Sequence, residues 1–206
     1  MTHKQINNKF PNPFRPGAGH MPPYLAGRET EKKEFLKLIS QTTIFENMVL
    51  TGLRGVGKTV LLDTFKPMAI NQGWLWVGTD LSESASISEA NLATRILTDL
   101  SVLTSNIIID RKQISPMGFS NLSTEVDIRM GFDFLFSLFN STPGLISDKL
   151  KQVLETVWSV LKQTSTKGLI FAYDEAQNLS DQPAKDQYPL GILLDIFQSI
   201  QKKNIP

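Results

Sequence analysis

Eight residues, Gly52-Leu53-Arg54-Gly55-Val56-Gly57-Lys58-Thr59, constrain this chain more than any other stretch of its 206 residues. Gly52, Gly55 and Gly57 allow a turn too tight for residues with side chains, and a lysine and a hydroxyl follow directly. The preceding apolar run, Asn47-Met48-Val49-Leu50-Thr51, reads as a short buried parallel strand. Leu61, Leu62 and Phe65 then recur at helical spacing. Strand, glycine turn and helix in that order make a cradle where backbone N–H groups converge at a helix N-terminus, which suits a polyphosphate. Lys58 is expected to meet the β- and γ-phosphates, and the Thr59 hydroxyl to ligate Mg²⁺.

Such a site needs an acid to hold the metal, and open α/β sheets place their ligand crevice at the carboxyl ends of the strands. Leu169-Ile170-Phe171-Ala172-Tyr173 reads as a buried strand, and Asp174 closes it. Glu175 stands next and is a candidate general base for an attacking water. The plainer alternative is that both acids only cap the loop after the strand.

Composition removes competing chemistries. There is no cysteine, so disulfides, thiolate metal sites and thiol nucleophiles are excluded, and a cytoplasmic location is expected. Both histidines, His3 and His20, precede the folded part, which excludes a histidine-based triad or metal centre there. A formal charge of +1 gives no broad field for nucleic acid or membrane surfaces. No apolar run approaches the roughly 20 residues of a membrane helix.

Prolines and glycines crowd residues 1–23, which read as a flexible arm before a single domain over 24–206. Phe35, Leu36, Leu38 and Ile39 outline a first helix near Arg28. The helix after Lys58 is expected to kink or break at Pro67, and Trp74-Leu75-Trp76-Val77 reads as a strand. Helices are expected over 88–104, about 146–162, and from Leu190 to near Asn204. Residues 105–145 read as an insertion. Their aromatic run from Phe132 to Phe139 suits either a core or a partner surface, and Trp74 and Trp76 suit core packing or base stacking. Arg54 suits a solvated loop position or an approach to the γ-phosphate or a neighbouring subunit. Alternating strands and helices argue an α/β fold with a parallel sheet.

Gly52 to Thr59 and Leu169 to Glu175 together resemble the Walker A and Walker B motifs of P-loop ATPases, in the form with a second acid that is typical of AAA+ and STAND ATPases. Tyr24-Leu25-Ala26-Gly27-Arg28-Glu29 is similar to a segment found near the adenine in the origin-recognition-like AAA+ branch. The resemblance implies a three-layer α/β/α P-loop fold. It also implies contacts to ATP or ADP from Val56 and Val60, and Tyr24, Leu25 and Arg28 on the base or ribose side. Lys58 and Glu175 would be the catalytic residues, and Thr59 and Asp174 the Mg²⁺ ligands. The chain reaches Asn204-Ile205-Pro206 without a match to the family's sensor strand, arginine finger or lid. That leads to the expectation of the N-terminal portion of an ATPase domain, slow in hydrolysis by itself. Three outputs follow from the resemblance: Mg²⁺-dependent ATP hydrolysis that remodels a protein partner or a homo-oligomer, a nucleotide-gated signalling module with little turnover, or a DNA-associated regulatory ATPase.

Overall fold

The computed structural model describes residues 27–114 and 124–206. Tyr24 and Leu25 lie outside the described residues. The fold mixes helix and strand around a small parallel sheet. β1 (Trp74–Val77) pairs with β4 (Gly168–Phe171), Trp74 opposite Gly168 and Val77 opposite Phe171. A bridge between Asp80 and Asp174 carries the pairing past the strand ends. Two glycines permit the close approach. A Cβ on Gly78 would lie 2.0 Å from the Ala172 carbonyl oxygen, and one on Gly168 would lie 2.4 Å from the Trp74 ring.

Strand alternation splits the sheet between two cores. Trp74, Trp76 and Ile170 join α1 (Glu29–Ile39) and α2 (Lys58–Asn71). There the Phe35 and Phe65 rings stack with centroids 4.2 Å apart, and the Trp74 indole N–H donates to the Ile39 carbonyl at 3.0 Å. Leu75, Leu169, Phe171 and Tyr173 join the larger core. That core is built by α4 (Glu89–Thr104), α5 (Phe132–Ser141), α6 (Ile146–Leu161) and α7 (Pro189–Lys202), and its fully buried residues include Ile96, Leu135, Val153 and Ile196. A one-turn helix, α3 (Glu83–Ser86), leads from the sheet into α4. The tryptophans and most of the aromatic run are therefore packing residues, although Phe136 stays 43% exposed.

The stretch read as an insertion contains an antiparallel hairpin and a core helix. Among the described residues the hairpin strands β2 (Ile108–Ile114) and β3 (Thr124–Arg129) pair with each other alone. Its base is closed by the Met130 amide on the Ile107 carbonyl at 2.9 Å, and by the buried Thr104 hydroxyl on the Met130 carbonyl at 2.6 Å. α5 continues into the larger core through the buried Leu135.

Two local expectations are corrected. Of the kink or break expected at Pro67, the break does not occur, and α2 runs unbroken from Lys58 to Asn71. Phe65 and Ala69 anchor its inner face, while Asp63, whose carbonyl loses its partner to the proline, lies on the exposed side where water can serve it. Asn47 to Thr51 forms no strand. A strand exists only through pairing, and no described segment pairs with this one. Val49 is left 75% exposed, and Met48 and Leu50 line a cavity of about 340 Å³ together with Ile170 and Phe171 of β4. Among the described residues no helix is long and apolar enough to cross a membrane.

Candidate functional site

α2 begins directly at the glycine turn, and its first turn is bare. Gly57 is its N-cap in the left-handed conformation, with φ 86° and ψ 29°, and no side chain caps it. The first intrahelical bond runs from the Leu61 amide to the Gly57 carbonyl at 3.0 Å. The amides of Lys58, Thr59 and Val60 find no acceptor among the described residues. With no acidic residue in this turn, the positive end of the helix faces a ligand without competition. Gly55, at φ 84°, supplies the second left-handed position that bends the loop. Gly52 precedes the bend, and Val56 is 39% exposed on it. A cavity of about 450 Å³ opens beside the loop, walled by Arg28, Val49, Gly52, Val56 and Lys58.

Lys58, Thr59 and the neighbouring Arg28 are engaged within the protein. Lys58 Nζ donates to the Gly52 and Leu53 carbonyls at 3.0 and 3.1 Å. Arg28, at the start of α1, donates through Nη2 to the Val56 carbonyl at 2.6 Å and through Nη1 to Glu31 at 2.6 Å. That hydrogen bond holds the Glu31 carboxyl below the ordinary carboxylate range. Arg54 is exposed on the loop.

Thr59 and Asp174 meet across 115 residues of sequence, the hydroxyl donating to Asp174 Oδ2 at 2.5 Å. Asp174 is fixed from behind by its own backbone: its amide reaches the Thr79 carbonyl at 3.3 Å, and its carbonyl accepts from the Leu81 amide at 3.0 Å. Its second carboxylate oxygen accepts from the Glu175 amide at 2.8 Å. Glu175 adopts φ 53° and ψ 32°, a left-handed conformation uncommon for a residue with a side chain and frequent where strain serves a site. Its carboxylate is exposed and accepts from the Gln177 side-chain amide. Among the described residues no three or more acids or histidines cluster as a self-sufficient metal cage.

One group behind β4 is not apparent from sequence reasoning. Asp99 of α4 has a nearly buried side chain and accepts from Arg95 Nε at 3.1 Å. Burial raises its carboxyl above the ordinary range against the pull of Arg95. The Tyr173 hydroxyl, one residue before Asp174, is buried without a hydrogen bond of standard geometry. Burial first, and Asp99 second, push its ionisation upward. The available signal was a carboxylate inside the apolar stripe Leu92, Ile96, Leu103 at helical spacing.

The arrangement can do two things chemically. The bare helix start, three glycines and Lys58 can hold an anion of several charges, and the Thr59 and Asp174 oxygens can hold a hard divalent cation together with that anion's oxygens. No protein-family profile, curated protein or solved structure matches this chain.

Proposed function

We propose that this chain is an ATP-binding, Mg²⁺-dependent P-loop ATPase domain of three α/β/α layers. The observation that carries the reading is the Thr59–Asp174 contact at 2.5 Å, which joins the loop after the first apolar run to the acid that closes β4. Helix packing on both faces of β1 and β4 supports the layered fold.

In this reading the amides from Gly55 to Val60 bind the phosphates. Lys58 exchanges the Gly52 and Leu53 carbonyls for β- and γ-phosphate oxygens. Thr59 and Asp174 hold Mg²⁺, a set that matches the ion's preference for few protein ligands plus substrate oxygens. When bound, Mg²⁺ would neutralise charge on the phosphates. Glu175 orients a water for attack on the γ-phosphate and takes its proton. The internal contacts of Lys58 and Thr59 also favour a switching output, because nucleotide must displace both.

Titration with labelled ATP and Mg²⁺ tests the binding claim. Lys58→Ala should weaken affinity about 10- to 100-fold, and equal affinity in both proteins would refute the phosphate role. Glu175→Gln should retain ATP while turnover falls about 100-fold or more, and unchanged turnover would remove Glu175 as the base.

A further inference from the structure

We infer that Arg28 is a positioning residue for the phosphate loop: by binding the Val56 carbonyl it fixes the direction of the next amide, the N–H of Gly57. This rests on the phosphate-binding reading of the loop and adds to it a residue whose role is separate from any contact with the base or ribose.

The argument begins with the peptide plane. No described peptide bond is cis, and in a trans peptide the carbonyl of one residue and the N–H of the next point in opposite directions. Arg28 Nη2 holds the Val56 oxygen at 2.6 Å, so the Gly57 N–H is turned to the side away from the guanidinium. A tie of this kind is needed because the plane is otherwise free to rotate. Gly57 sits at φ 86° with open space where a Cβ would stand, and glycine visits both signs of φ with similar ease. A flipped plane would present a carbonyl oxygen where the anion expects a donor.

The tie is itself braced. Glu31, one turn into α1, accepts from Nη1 at 2.6 Å and leaves Nη2 to the loop. The planar fork of arginine allows both bonds at once, which a lysine ammonium on a flexible stem does not reproduce in fixed geometry. Both side chains remain about one-third exposed, so the expected effect is a moderate loss of affinity.

The test uses the full chain and inorganic triphosphate with Mg²⁺, a probe with no base or ribose. Arg28→Ala should weaken triphosphate binding about tenfold, and Glu31→Gln about threefold, with the thermal midpoint of the ligand-free protein within about 3 °C of wild type. In ¹⁵N-labelled ligand-free protein, the Gly57 amide resonance should be single in wild type and broadened or doubled in Arg28→Ala. Arg28→Lys should recover only part of the affinity. A variant that binds triphosphate like wild type and weakens only for ATP would place Arg28 at the nucleoside and overturn the inference. An unchanged Gly57 resonance in Arg28→Ala would also overturn it. Wild type without affinity for triphosphate would remove the phosphate reading itself, and the clamp with it.

Discussion

The Tyr173 hydroxyl is buried one residue before Asp174, beside the Asp99 carboxylate but without a hydrogen bond of standard geometry. An unsatisfied buried hydroxyl contributes no stability, so Tyr173→Phe should leave the urea midpoint unchanged or raise stability by up to about 1 kcal/mol. Asp99 behaves differently because its carboxyl is raised by burial. Between the ordinary aspartate value of about 3.9 and its raised value, the folded state holds the proton more tightly than the unfolded state. Stability therefore falls as pH rises through that window. Asp99→Asn lacks the titration, so wild type should gain stability relative to this variant as pH is lowered from 7 towards 4, measured by urea unfolding at each pH. At this scale the sequence was informative where chemistry is local. Lys58, Thr59 and the three glycines were legible because loop, cation and hydroxyl are contiguous. Asp99 and Tyr173 were not, since their meeting depends on how α4 packs against the sheet.

Elements followed the apolar periodicity closely, and the departures share a cause. α4, α6 and α7 begin and end within about two residues of the expected limits because their caps and turns are local. Pro67 was expected to kink or break α2, and the helix does not break because burial of Phe65 and Ala69 outweighs one missing hydrogen bond. Pro67→Ala restores the donor to Asp63 on an exposed face and should stabilise the protein by about 1–3 kcal/mol in chemical denaturation. Asn47 to Thr51 has strand composition and no strand, because pairing needs a neighbour that composition cannot supply. β1 and β4 have that neighbour only while Gly78 lacks a side chain. Gly78→Ala would drive a methyl against the Ala172 carbonyl and should cost about 2–4 kcal/mol; on the proposed reading it should also weaken nucleotide binding, because Asp174 lies two residues beyond Ala172.

For the molecule as a whole, the hairpin meets the body at its base, where Ile107 and Ile109 pack against the larger core. The Met130–Ile107 and Thr104–Met130 bonds hold the two ends of the hairpin together whatever lies between them. Replacing residues 110–128 with a short glycine-containing turn, which keeps Ile109 on the core, should leave cooperative unfolding intact and, on the proposed reading, the affinity for ATP as well. Loss of either would show that the hairpin braces the body. The sequence by itself determined the glycine-rich turn with its lysine and threonine, the acid pair at 174 and 175, and most helices, because each is written in adjacent residues or in a short period. Only the tertiary structure decided that Thr59 touches Asp174, that Arg28 grips the loop, and that the run before Gly52 goes unpaired. Each of these depends on which distant segments meet, and that is set by burial summed over the two cores, which no local pattern records.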